Sequence, residues 1–143
     1  MKKVLILHGP NLNLLGTREP DVYGSLSLKD LNSQLSALGM QHGFEIHCVH
    51  SNVEGELVNL LHEHGFDSRG IVFNPGGYTH TSVALRDAVA SIESPVIEVH
   101  ISHPEAREDF RHQSLVRPVC CGAISGMGVE GYFAALRFFM GAE

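Results

Sequence analysis

Five short runs rich in valine and isoleucine set the strongest constraint on how this chain folds: Lys3–Leu7, Glu45–His50, Gly70–Asn74, Val96–Ile101 and Val119–Ser125. Between and after them the apolar residues switch to helical spacing, so strand and helix alternate along the chain. Leu28, Leu31, Leu35 and Leu38 share one helical face behind Ser27, which reads as an N-cap with Asp30 in the first turn. Ser51 and Glu54 have capping-box spacing ahead of the stripe Leu57, Val58, Leu60 and Leu61. The segment "THTSVALRDAVASI" opens on cap-type residues, and "VEGYFAALRFFM" closes with Phe133, Leu136 and Phe139 or Met140 on one side.

Such alternation in 143 residues predicts an α/β protein, a doubly wound five-stranded parallel sheet with helices on both faces, folded as a single domain over residues 1–143. The flavodoxin-like strand order 2-1-3-4-5 is expected. In that order ligands bind beyond the C-terminal strand ends, in the crevice between the first and third strands.

Three of those strand ends are polar. The first runs into "HGPNLNLLGTREPDVYGS", a connection of about 20 residues where about 2–6 are usual, and such long loops tend to be functional. The third ends in "FNPGGYTHTS" and the fourth in "EVHISHPEAREDFRHQ". A strand covered on both faces should be continuously apolar, yet Glu98 and His100 share one face of the fourth strand while Ile97, Val99 and Ile101 share the other. A carboxylate and an imidazole there are costly unless they satisfy each other or do chemistry. A carboxylate orienting an imidazole is a common preparation for general acid–base catalysis; the bland alternative is an edge strand with both groups in solvent.

Tyr23 is a second candidate, because Arg18 is close in sequence and Arg107 and Arg111 leave a nearby strand end. A phenol with a pKa of about 10 serves as a base near neutrality only when cations favour its ionised form. Arginines converging in a chain of net charge -6 also indicate a small anionic substrate or an anionic intermediate.

Composition narrows the partners. The acidic balance, with a pI near 5.9, argues against nucleic acid or an anionic membrane surface. No apolar run approaches the ~20 residues of a membrane span, and a strand pattern beginning at Lys3 leaves no signal peptide, so a cytoplasmic location is expected. Cys48, Cys120 and Cys121 lack metal-type spacing and read as reduced core thiols. His62 and His64 in "HEH" lack the i, i+4 spacing of a helical metal pair and read as solvated positions, and His42, His47 and His50 show no ligand pattern.

The motifs "GPNLNLLGTREPDVYG", "NPGGYTHTSVALRDA" and "IEVHIS…REDFRH", in this order and spacing, resemble those of the type II 3-dehydroquinate dehydratases along the whole chain. The resemblance implies a lyase that needs no cofactor or metal. It would dehydrate 3-dehydroquinate to 3-dehydroshikimate on the shikimate route to chorismate and the aromatic amino acids. Carried over by position, Tyr23 is the base with Arg18 lowering its pKa and Arg107 assisting, Asn11 fixes a water at the enolate, and His100 is the acid positioned by Glu98. Asn74, His80, Arg111 and the backbone at Ile101 and Ser102 hold substrate, while Asp87 reaches a neighbouring subunit of a dodecamer built from trimers. His103 stands where the family pattern has asparagine.

Rival readings fit less well. A receiver domain needs an acidic cluster after the first strand and a lysine after the fifth, a flavodoxin needs a Ser/Thr/Gly phosphate loop, and a Schiff-base dehydratase needs a lysine at a strand end. The lysines are Lys2, Lys3 and Lys29, none so placed. A non-catalytic flavodoxin-like oligomeric binding module is the alternative from another class; the presence together of Tyr23, Arg18 and His100 favours the enzyme.

Overall fold

β1 (Lys2–His8), β2 (Phe44–His50), β3 (Gly70–Asn74), β4 (Val96–His100) and β5 (Gly122–Ser125) form one parallel sheet in the order 2-1-3-4-5. The computed structural model describes residues 2–17 and 25–141. Among them α1 (Leu28–Gln41) and α4 (Glu130–Met140) cover one face, α2 (Glu54–His64) and α3 (Val83–Ser91) the other. Period-two alternation separates the two cores. Val4, Ile6, Val72, Ile97 and Val99 pack with Leu31, Leu35 and Leu136, while Leu5, Leu7, Ile71, Phe73 and Val96 pack with Leu57, Leu61 and Leu85. No helix among the described residues is long and apolar enough to cross a membrane.

The caps follow the sequence in two helices of three. Ser27 Oγ accepts the Asp30 amide at 3.1 Å and Ser82 Oγ accepts the Leu85 amide at 2.9 Å. The Ser51–Glu54 capping box does not form. Ser51 Oγ accepts the Val53 amide at 3.0 Å instead, a local turn that delays the helix until Glu54. The fifth strand is also shorter than expected: Pro118 lies in a 3-10 turn, Arg117–Val119, and pairing begins only at Gly122. β4 lies between β3 and β5, which removes the edge-strand reading of Glu98 and His100.

All three cysteines are free, but only two sit against the core. Burial pushes the Cys48 thiol up to about 11 and the Cys120 thiol up to about 12, whereas Cys121 is exposed, against expectation. Three of the histidines read as solvated or unpatterned have defined partners. His42 Nδ1 donates to the Leu38 carbonyl at 3.0 Å. His64 Nδ1 accepts from Lys3 Nζ at 3.1 Å, and His47 Nε2 meets Glu45 at 2.9 Å.

The loops after β1 and β3 interlock by close backbone contact. The Gly9 amide donates to the Asn74 carbonyl at 2.7 Å. A Cβ on Gly9 would lie 2.7 Å from that same oxygen and 2.8 Å from the Pro75 carbonyl. Backbone cannot swing aside as a side chain does, so Gly9→Ala is expected to cost about 1–3 kcal/mol. Urea unfolding checks this; an unchanged midpoint would mean that the two loops separate freely.

Candidate active site

The polar ends of β1, β3 and β4 surround a cavity of about 160 Å³. Cavities of about 150 Å³ accept a six-membered ring. Pro10, Asn11, Leu12 and Leu15 form one wall and Asn74, Gly76, Gly77 and His80 a second. His100, Ile101, Ser102, Pro104, Arg107 and Arg111 complete it.

Glu98 stands behind His100 and is completely buried. Its Oε2 accepts from His100 Nε2 at 2.8 Å, from Ser114 Oγ at 2.8 Å and from the Thr79 hydroxyl, and its Oε1 accepts from Arg117 Nε at 2.7 Å. Burial alone would raise the carboxyl pKa. The hydrogen bond and charge of His100 overcome that with help from Thr79 and Arg117, and hold it at about 2. An ionised Glu98 only accepts, so His100 carries its proton on Nε2 and leaves Nδ1 without a hydrogen bond among the described residues.

A second buried chain ends at Asn74. Its Nδ2 donates to Tyr132 Oη at 3.0 Å and its Oδ1 accepts the Gly76 amide at 3.0 Å. Tyr132 Oη lies 3.0 Å from His8 Nδ1, and His8 Nε2 lies 2.8 Å from Asn32 Oδ1. Only one assignment satisfies all four contacts: Tyr132 donates to His8 Nδ1, and His8 donates from Nε2 to Asn32. Asn74 thus has both amide ends assigned and one N–H left over. Burial drives His8 down to about 4 and pushes the Tyr132 phenol well above its ordinary range, so both stay neutral at physiological pH.

Local conformation places the remaining groups. Asn11 has φ 71°, a left-handed backbone that asparagine tolerates, and its amide donates to Asn52 Oδ1 at 2.8 Å. His80 Nδ1 donates to the Gln113 carbonyl at 2.7 Å, leaving Nε2 as its second ring nitrogen. Arg107 Nη1 donates to Ser102 Oγ at 3.2 Å and Arg111 Nε to Glu108 at 3.0 Å. The carbonyls of Ile101 and Ser102 accept from Gly128 and Gly126. Pro104 opens a 3-10 turn directly after this wall.

Eight residues singled out from sequence therefore line one cavity: Asn11, Asn74, His80, His100, Ile101, Ser102, Arg107 and Arg111. Arg18 and Tyr23 lie outside the described residues. Asp87 is exposed on α3, away from this cavity. His103 does not line it either; its Nδ1 lies 3.5 Å from Glu105. Sequence reasoning missed Thr79, Ser114, Arg117 and Tyr132. Thr79 lay inside a recognised motif, but the other three come from far along the chain with no spacing signal. Among the described residues no group of three or more His, Cys, Asp or Glu is arranged to hold a metal ion.

A carboxylate-held imidazole beside arginines, above a ring-sized cavity at the switch point of a 2-1-3-4-5 sheet, marks a flavodoxin-like α/β protein with groups suited to acid–base chemistry on a small anion. More narrowly, the chain belongs to the Dehydroquinase class II family, which it matches over residues 2–140. A 3-dehydroquinate dehydratase from Pelotomaculum thermopropionicum is 56% identical over 135 residues, 94% of each chain. Two solved structures are equally close in fold. The type II dehydroquinase of Propionibacterium acnes superposes with a TM-score of 0.94 at 37% identity, covering 99% of this chain and 97% of the other. That of Butyrivibrio crossotus superposes at 0.93 with 43% identity, covering 96% and 97%.

Proposed function

We propose that this protein is a hydro-lyase that removes water from 3-dehydroquinate to give 3-dehydroshikimate, a step of the shikimate pathway to aromatic amino acids. Family membership supplies the reaction, and one observation supports assigning it to this cavity: the His100 imidazole, held by an ionised Glu98, opens onto a ring-sized space edged by Arg107 and Arg111.

In this reading Tyr23, as phenolate favoured by Arg18 and assisted by Arg107, takes the proton from C2 beside the ketone. The electron pair moves onto the carbonyl oxygen as an enolate, which a water fixed by Asn11 stabilises by hydrogen bonding. The enolate then collapses, the C1–oxygen bond breaks, and the hydroxyl leaves as water with a proton from His100. Nδ1 is the ring nitrogen for that transfer, since Nε2 is committed to Glu98. Base and acid come from different loops, as elimination across opposite ring faces requires. Asn74, His80 and Arg111 hold hydroxyl and carboxylate groups, and backbone N–H groups at Ile101 and Ser102 bind the carboxylate. The subunits form trimers within a dodecamer, in which Asp87, exposed and away from its own cavity, reaches a neighbour's site.

Mixing the protein with 3-dehydroquinate, without added metal or cofactor, is expected to raise enone absorbance. Borohydride added with substrate leaves the activity intact, because no lysine adduct forms. Absorbance that never exceeds the buffer rate would favour a binding module and sink the assignment.

A further inference from the structure

Glu98 does not face His100 alone. Arg117, from the 3-10 turn before β5, donates Nε–H to Glu98 Oε1 at 2.7 Å, the oxygen away from the imidazole. The same residue acts on the other oxygen through its backbone. Its amide donates to Ser114 Oγ at 3.0 Å, which turns the serine hydroxyl to donate to Oε2 at 2.8 Å. Beyond Arg117 the line continues outward: Nη1 donates to Glu105 Oε1 at 3.1 Å, and Glu105 Oε2 lies 3.5 Å from His103 Nδ1. Basic and acidic groups thus alternate from the cavity to the surface as His100, Glu98, Arg117, Glu105 and His103.

We infer that Arg117 is a positioning residue for the acid: it clamps the Glu98 carboxylate from the side opposite His100 and sets how strongly that carboxylate holds the imidazolium. A buried carboxylate with an imidazolium as its sole partner would hold the proton tightly, making a poor acid. A guanidinium on the far oxygen shares that negative charge and eases proton release. Glu105 in turn draws on Arg117 and limits the effect. The inference rests on the acid role of His100 proposed above.

Few other charges reach the pair. β3 and β5 place Phe73 and Ala123 opposite Glu98 in register. Cys120, beside Arg117, is held neutral by burial and then by the Glu98 charge. On the cavity side stand His80, Arg107 and Arg111, with Arg18 and Tyr23 added in the proposed mechanism. Among the described residues, Arg117 is the cation bonded to Glu98 Oε1.

The test follows the His100 imidazole by NMR titration, and kcat and KM for 3-dehydroquinate against pH, in the parent, Arg117→Met, Arg117→Lys and Glu105→Gln. For Arg117→Met the imidazole titration and the alkaline limb of kcat are expected to move up by about one pH unit, after allowance for the partial exposure of Arg117. Its kcat below the alkaline limb falls by up to about tenfold, the limit reached if the full one-unit shift is felt in the transition state, with KM within about twofold. Arg117→Lys restores part of the titration, keeping charge but losing the planar fork. Glu105→Gln moves it the opposite way by less. An unmoved titration in a folded Arg117→Met overturns the inference; should that variant fail to fold, no downward shift in Glu105→Gln does so. A parent that lacks turnover but shows the expected titration shifts would refute the reaction and leave the clamp standing.

Discussion

A His100→Ala variant turns over 3-dehydroquinate about 10²–10⁴-fold more slowly than the parent, the usual range for losing a positioned general acid. The loss falls on kcat and much less on KM, because in the proposed mechanism the imidazole acts on the leaving hydroxyl in the transition state and binding rests on other groups. Water can protonate the hydroxyl in its place, but it arrives unoriented and without the Glu98 carboxylate behind it. Folding should survive, since His100 borders the cavity, belongs to neither hydrophobic cluster, and leaves Glu98 held by Thr79, Ser114 and Arg117. Steady-state kinetics on the enone product, with circular dichroism as control, decide the matter. A folded variant within tenfold of parental kcat would move the acid to another group.

Acidification is expected to destabilise the fold in two successive windows. His8 titrates at an ordinary 6.5 when unfolded but at about 4 when buried in the native protein. The unfolded chain therefore binds a proton that the native state refuses, and stability present above pH 6.5 is lost as pH falls through about 4. Glu98 goes from 4.5 unfolded to about 2 in the native state. Its contribution is present above pH 4.5 and lost as pH falls through about 2. At about 1.4 kcal/mol per tenfold change, each window removes on the order of 3 kcal/mol, a large share of the 5–15 kcal/mol typical of a domain. Urea midpoints measured from pH 7 to 2 check this, with His8→Gln as comparison because its amide does not titrate. Equal slopes for parent and variant between pH 6.5 and 4 would show that His8 is not the group responsible.

The elements most legible beforehand were those governed by contacts close in sequence. Ser27 and Ser82 cap their helices because each meets an amide three residues on. Glu98 and His100 fall on one face of β4 because side chains alternate along any strand. Where two local preferences competed, reading failed: Ser51 turned to Val53 and not toward Glu54, and Pro118 held the chain in a 3-10 turn where valine and cysteine suggested strand.

By itself, then, the sequence determined the alternating elements, their order in the sheet, and the chemistry carried at three strand ends. Periodicity and motif spacing are written along the chain, so they need no third dimension. Only the tertiary structure decided how that chemistry is held. Ser114 and Arg117 come to the buried Glu98 from 16 and 19 residues on, and Tyr132 reaches His8 across 124 residues. A buried charge or amide must find partners wherever the packed sheet brings them, and that choice is made by strand order and helix placement, beyond the range of any sequence pattern.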